Sequence, residues 1–166
     1  MPASAANELV MEPRERVLVI ERVFEAPREL VWDAFTRPEH LRNWMGPRHH
    51  PAAKFDADVR PGGKWRGCLR ALDGSRDLWQ GGMFHEVERP ERLVYTFQWD
   101  KHDEQDVTFE TLITITFEEI DEEETLMKFH QATFNTEANR NGHNEGWSSA
   151  FDRLDDLLAT LEKRRA

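Results

Sequence analysis

An apolar stripe with helical spacing near the C-terminus constrains the fold of this chain more than any other feature. The members of the stripe recur at three- and four-residue steps: Trp147, Ala150, Phe151, Leu154, Leu157, Leu158 and Leu161. Charged residues such as Asp152, Arg153 and Glu162 take the opposite face. We therefore predict a long helix from about Asn141 to Lys163, begun by a polar, glycine-containing run, that lies on the rest of the fold through its apolar face.

Most of the chain before this helix has the alternation typical of β-strands. Strands are predicted over residues 16–25, 53–59, 64–72, 78–87, 93–99, 109–120 and 125–134. Two short helices are predicted after the first strand, one beginning at Pro27 and one at Pro38, because proline is favoured in the first turn of a helix. A loop over 45–51 and a charged loop over 101–106 connect the elements. This order predicts an α+β fold in which a curved antiparallel sheet wraps around the C-terminal helix.

Length and charge exclude several classes of function. A chain of 166 residues predicts a single domain, here residues 14–166 after a flexible tail over 1–13. The net charge of −10 argues against nucleic acid and against anionic membrane surfaces as partners. The lone cysteine, Cys68, excludes an internal disulfide and is expected to be buried and inert. With no membrane-length apolar run and no apolar core of a signal peptide at residues 1–13, we expect a cytoplasmic monomer or homodimer.

Four segments, in this order, resemble a known family. They are the run from Val23 to Trp44 (VFEAPRELVWDAFTRPEHLRNW), the run from Asp58 to Arg66 (DVRPGGKWR), the pieces Glu86-Val and Arg89-Pro-Glu-Arg-Leu93, and Gly146-Trp147 with the leucine-rich helix. The chain is similar over residues 16–161 to the activator of heat-shock-protein-90 ATPase homologue family of the START-like, helix-grip superfamily (SRPBCC). The resemblance implies an incomplete barrel gripped by the C-terminal helix, with apolar or aromatic small molecules such as lipids, polyketides or hormones between them.

The candidate ligand-binding residues come from different elements that are expected to converge beneath the helix: Trp44, Trp65, Phe97, Trp99, Phe129, Gln131, Trp147 and Phe151. A mostly apolar wall with a few polar groups is what a small-molecule site needs, although a filled core would use the same aromatic residues. Alternate residues of a strand point to the same face, so Tyr95, Phe97 and Trp99 share one face of their strand, and Met127, Phe129 and Gln131 share one face of theirs. Whether these faces point inward stays open. Gln131 either orients a ligand or bonds to backbone.

The sequence offers little for catalysis or metal binding. One histidine pair, His49-His50, and one histidine–glutamate pair, His85-Glu86, lack metal-ligand spacing, and the side chains of His85 and Glu86 are expected on opposite faces of a strand. No phosphate loop, nucleophile motif or Cys/His pair is present, so we predict no catalytic residue, no metal and no cofactor. The remaining candidates for proton transfer are His85, Glu86 and Gln131. His143 either rims a pocket or is a solvated residue at the helix start.

We therefore predict that the protein binds or sequesters a hydrophobic small molecule and is not an enzyme. One alternative is a cyclase, dehydratase or hydrolase that uses the same pocket. Another is a protein-interaction module that acts on a chaperone or its client, a role that the resemblance leaves open and that no feature of this sequence supports.

Overall fold

One antiparallel sheet, curved around the C-terminal helix, organises the described residues, 13–100 and 109–165, of this computed structural model. The elements in chain order are β1 (Leu18–Phe24), α1 (Arg28–Thr36), α2 (Pro38–Trp44), β2 (Ala52–Ala57), β3 (Lys64–Arg70), β4 (Asp77–Glu88), β5 (Arg92–Trp99), β6 (Glu110–Asp121), β7 (Glu124–Ala132) and α3 (Glu137–Arg165). A short 3₁₀ turn, Arg14–Arg16, precedes β1. The seven strands lie in the order β1-β7-β6-β5-β4-β3-β2. The predicted α+β layout is confirmed, whereas the predicted loop over 101–106 and nearly all of the predicted tail lie outside the described residues.

The two short helices are joined through a buried tryptophan. Pro27 precedes α1, and Pro38 is the first residue of α2, as the fixed φ of proline favours. The indole Nε1 of Trp44 donates a hydrogen bond of 2.8 Å to the carbonyl of Ala34, and the ring packs 4.9 Å from that of Phe35. Trp44 is fully buried, so this contact fixes α2 against α1 and sets the start of the loop that follows.

Helix α3 begins at Glu137, four residues before the predicted start at Asn141, so the expected start was wrong. The hydroxyl of Thr136 accepts a hydrogen bond of 3.1 Å from the amide of Asn139, which satisfies a free donor of the first turn. Gly142 and Gly146, whose presence suggested a helix start, lie inside the helix where a Cβ would meet nothing within 4 Å. Glycine is unfavourable at such positions but does not end a helix.

The apolar stripe of α3 packs on the sheet as predicted, with one exception. Leu154, Leu158 and Leu161 are buried. Leu157 is half-buried, because it lies at the margin of the stripe beside the exposed Asp156; the prediction that it would be buried was wrong. Among the described residues, no helix has both the length and the apolar character needed to cross a bilayer.

The sheet turns one parity of each strand toward α3. Tyr95 and Phe97 on β5 are buried, and Met127, Phe129 and Gln131 on β7 are each 1% exposed or less. Cys68 is also fully buried, and burial raises the pKa of its thiol, in keeping with an inert residue. The inward parity that the sequence left open is therefore the one that carries the candidate ligand-binding residues.

Candidate functional site

A cavity of about 270 Å³ lies at the N-terminal end of α3, and three parts of the chain form its wall. Helix α3 contributes one face, the loop 45–50 contributes the second, and the inner surface of β3, β4 and β5 contributes the third. The lining residues include Met45, Gly46, Leu69, Gln80, Phe97, Trp99, His143, Glu145, Gly146 and Trp147. Its exposed members His49, Gly142 and Glu145 mark the mouth. The cavity is therefore at one end of the space between helix and sheet, not in its middle.

Three of the candidate ligand-binding residues, Phe97, Trp99 and Trp147, line this cavity. Trp99 is half-buried, and its indole lies at a ring-centroid distance of 5.3 Å from Phe97. Trp147 separates the cavity from the packed core, because its other neighbours are Phe129 at 4.8 Å and Phe151 at 5.7 Å.

The other aromatic candidates lie in the core. Phe151 packs against Phe129 at 5.7 Å and against Trp44 at 6.0 Å, so these three fill the middle of the enclosed space. Trp65 stacks on Phe55 at 5.5 Å and borders, with Trp147, a void of only about 20 Å³. Such a void holds about one water molecule, so this part of the interior offers no room for a larger ligand.

Gln131 is committed to side chains behind the cavity wall. Its Nε2 donates to the hydroxyl of Thr111 at 2.8 Å, and its Oε1 accepts from the indole Nε1 of Trp147 at 2.9 Å. The hydroxyl of Thr111 in turn donates to the carbonyl of Phe97 at 3.4 Å. Gln131 therefore bonds neither to backbone nor to the cavity, and instead holds the Trp147 ring in place. A half-satisfied buried amide would be destabilising, which explains why both ends are used.

His143 lies inside α3 on the cavity wall rather than at a solvated helix start. Its Nε2 accepts a hydrogen bond of 3.0 Å from the indole Nε1 of Trp99, and its ring packs 4.9 Å from that of Phe134. An indole N–H is only a donor, so the neutral ring must carry its proton on Nδ1. Burial lowers the pKa of His143 to about 4, and His143 is therefore an uncharged hydrogen-bond donor at neutral pH.

Gln80 is the wall residue that the sequence analysis missed. It lies on β4 directly opposite Trp99 of β5, is 2% exposed, and has no hydrogen-bond partner for its side-chain amide among the described residues. The only signal was its parity with Phe84, and this was obscured by the glycines between them. A Cβ on Gly82 would lie 1.9 Å from the carbonyl oxygen of Thr96, so this position requires glycine for steric reasons.

The loop 45–50 is held against α3 by a guanidinium group. Arg153 donates to the carbonyls of Asn43 at 3.0 Å, Met45 at 2.8 Å and Gly46 at 2.7 Å. Gly46 has a φ of +85°, and a Cβ there would lie 2.4 Å from the carbonyl of His50, so the sharp turn of the loop depends on glycine. The loop wall is therefore fixed by α3 itself, which places the mouth between two elements that are anchored together.

The catalytic candidates from the sequence do not meet at the cavity. His85 and Glu86 are both exposed, at a place where the pairing of β4 with β5 shifts register between Phe84 and Glu86, and neither lines the cavity. Glu86 lies 3.5 Å from Arg92.

Basic and metal-ligating side chains are also engaged elsewhere. His49 and His50 contact each other through their Nδ1 atoms at 2.8 Å, and in the part of the chain that the structure describes no three ligating side chains come together. Arg60 pairs with Asp58 at 2.8 Å, and Arg66 pairs with Asp100 at 2.5 Å.

Comparison with known proteins shows which proteins share this fold. Residues 25–159 match the family profile described as Activator of Hsp90 ATPase homolog 1-like protein. A solved structure from Nitrosomonas europaea is 24% identical, with 91% of this chain and 99% of that chain aligned and a TM-score of 0.74. The AHSA1 protein from Silicibacter pomeroyi is 22% identical, with 87% and 98% aligned and a TM-score of 0.75.

A protein from Mycobacterium smegmatis is 26% identical, with 87% of this chain and 91% of that chain aligned and a TM-score of 0.72. No protein of curated function matches this sequence. These likenesses confirm the helix-grip fold that the sequence resemblance implied.

Proposed function

Because this chain belongs to the family of Activator of Hsp90 ATPase homolog 1-like proteins, whose START-like fold is of a ligand-binding type, we propose that it binds or sequesters a small hydrophobic or aromatic molecule. The site is the cavity at the N-terminal end of α3. The observation that carries the proposal is the volume of about 270 Å³ behind a mostly apolar wall. We also propose that residues 14–166 form one domain and that the protein acts in the cytoplasm.

The size of the cavity sets the size of the ligand. A dry cavity of about 150 Å³ accepts benzene, and drug-sized ligands occupy pockets of roughly 300–1,000 Å³. At about 270 Å³ the cavity fits a molecule of about two fused rings, with Phe97, Trp99 and Trp147 available for ring contacts. Lipids with long acyl chains do not fit this volume unless the loop 45–50 moves.

The geometry of His143 favours a binding protein over an enzyme. A general base needs a free lone pair, but the Nε2 lone pair of His143 is occupied by the Trp99 indole and Nδ1 carries the proton. The carboxylate on the wall, that of Glu145, is exposed at the mouth. The other two histidines of the wall, His49 and His50, contact each other through their Nδ1 atoms at 2.8 Å, so the described wall residues show no hydrogen-bonded pair of histidine and carboxylate.

The outer face of the sheet gives little support to the interaction module. Val19, Val23, Leu112 and Ile120 are exposed there. Polar residues separate them: His130 of β7 and Thr114 of β6 lie beside Val19 in the register, and Lys128 of β7 pairs with Glu118 of β6. Scattered apolar residues of this kind are common on protein surfaces and do not form a docking patch.

The proposal is tested by filling the cavity without disturbing the fold. Gly146 lines the cavity, and a Cβ there meets nothing within 4 Å, so Gly146→Phe places a ring at the mouth and removes a glycine from a helix. We expect the wild type to bind naphthalene at one site in a calorimetric titration and Gly146→Phe to bind it at least about tenfold more weakly, a difference of about 1.4 kcal/mol.

Asn144→Phe is the matched control, because Asn144 is exposed on the same helix and lies off the cavity wall. It should bind naphthalene as the wild type does. Absence of saturable binding to the wild type, or equal binding by Gly146→Phe, would show that the cavity is not a ligand site. Native mass spectrometry of freshly purified protein would then search independently for a retained small molecule.

A further inference from the structure

We propose that Gln80 makes this cavity selective for uncharged aromatic molecules that carry a hydroxyl or carbonyl group, and that the site rejects the corresponding carboxylates. This inference rests on the proposed function, since it names the chemical class of the ligand for the same cavity. The juxtaposition that carries it is an amide on the cavity wall without a hydrogen-bond partner among the described residues, in a wall to which the described residues contribute no lysine or arginine.

The amide of Gln80 lines the cavity and makes no hydrogen bond to another described residue. The residue is 2% exposed. Its side-chain nitrogen and oxygen are not among the fully buried unpartnered atoms, so they stay accessible from the cavity and free to bond a ligand. A glutamine amide has both an acceptor oxygen and two N–H donors, so a ligand hydroxyl or carbonyl satisfies it and a bare hydrocarbon does not.

The side-chain amides of Gln80 and Gln131 differ in whether they are available to a ligand. Both residues are buried on the inner face of the sheet. The amide of Gln131 is fully used by Thr111 and Trp147, whereas the amide of Gln80 bonds to no other described residue and lines the cavity. The neutral amide of Gln80 therefore meets the polar end of the ligand.

The electrostatics of the wall disfavour an anion. No lysine or arginine is among the described residues that line the cavity. Two arginines close to the wall already have partners: Arg153 bonds the carbonyls of Asn43, Met45 and Gly46, and Arg48 pairs with Asp156 at 3.2 Å. Glu145 puts a negative charge at the mouth. A carboxylate entering this site would lose its hydration without gaining a counter-charge, which is strongly unfavourable.

Three probes with one ring system separate these effects: naphthalene, 2-naphthol and 2-naphthoate. Each is titrated calorimetrically at pH 7 into the wild type, Gln80→Met and the control Gln98→Met. Methionine matches glutamine in length and lacks the amide, and Gln98 is exposed on β5 and off the cavity wall. The wild type and the control should bind 2-naphthol at least about tenfold more tightly than naphthalene, and 2-naphthoate most weakly. In Gln80→Met the preference for 2-naphthol should fall to about twofold or less while naphthalene still binds.

A direct measurement on the wild type covers the case in which Gln80→Met fails to fold. The side-chain ¹⁵NH₂ resonances of Gln80 should shift further on saturation with 2-naphthol than with naphthalene, because both ligands add a ring-current shift and only 2-naphthol adds a hydrogen bond. Equal shifts with the two probes would overturn the assignment, as would a preference that survives in Gln80→Met. Equal binding of all three probes by the wild type would refute the selectivity and leave the proposed function standing. Failure of every probe to bind would remove both.

Discussion

The hydrogen bond between Trp147 and Gln131 is predicted to stabilise the fold in a way that a double-mutant cycle can isolate. Trp147→Phe keeps a ring at the boundary between cavity and core but removes the Nε1–H that bonds Gln131 at 2.9 Å. Gln131→Leu removes the acceptor and leaves the indole N–H buried without a partner. Thr111 retains the carbonyl of Phe97, so no third group loses its only contact.

The magnitudes follow from the burial of both partners. Gln131 is 0% exposed and Trp147 is 6% exposed, so water cannot replace the lost partner easily. Each single substitution should lower the free energy of unfolding by about 1–3 kcal/mol for the orphaned group, and the smaller ring adds about 1 kcal/mol of lost packing. In the double variant neither polar group is orphaned. The decrease in the free energy of unfolding of the double variant should therefore be smaller than the sum of the two single decreases by about 1–3 kcal/mol.

Urea unfolding followed by tryptophan fluorescence measures the cycle. With a slope of about 1–3 kcal/mol per molar urea, a coupling of about 2 kcal/mol corresponds to roughly 1 M in the midpoint. Trp79→Phe combined with Gln131→Leu is the control, because Trp79 lies on the outer face of the sheet over Arg66, and these two should be additive within about 0.5 kcal/mol. Additivity of Trp147→Phe with Gln131→Leu would refute the idea that this bond fixes the cavity wall.

Two further predictions concern the helix and its histidine. Leu158 is 2% exposed, and Leu158→Ala should lower the free energy of unfolding by about 2–5 kcal/mol. Leu72 is 75% exposed, and Leu72→Ala should lower it by less than about 0.5 kcal/mol. Chemical denaturation measures both, and a small loss for Leu158→Ala would mean that α3 is not docked in this way. The pKa of His143 falls from 6.5 to about 4 on folding. The unfolded state therefore binds more protons between these pH values, and stability should decrease as the pH falls through that window, by about 3 kcal/mol at most. Urea midpoints from pH 7 to pH 4 check this, and His143→Gln should flatten the slope; an unchanged slope in that variant would contradict the assignment to His143.

The sequence alone determined the elements and their order. The stripe from Trp147 to Leu161 predicts the long helix because side chains three and four residues apart share a helical face, and this relation depends only on local backbone geometry. Alternation in the strands likewise placed Phe97 on one face of β5 and Phe129 on one face of β7. With the motif resemblance, these local patterns were sufficient for the helix-grip fold.

Tertiary structure alone decided where the interior is full and where it is empty. Phe129 and Phe151 fill the middle of the space between helix and sheet. The Trp147 ring packs on them and is held there by its hydrogen bond to Gln131, 16 residues away in the chain. Gln80 lines the remaining cavity and bonds to no other residue that the structure describes. Volume and hydrogen-bond satisfaction depend on which residues from distant segments meet, and no local pattern carries that information. Whether the enclosed space is a packed core or a ligand site therefore depends on the contacts between the folded sheet and the helix.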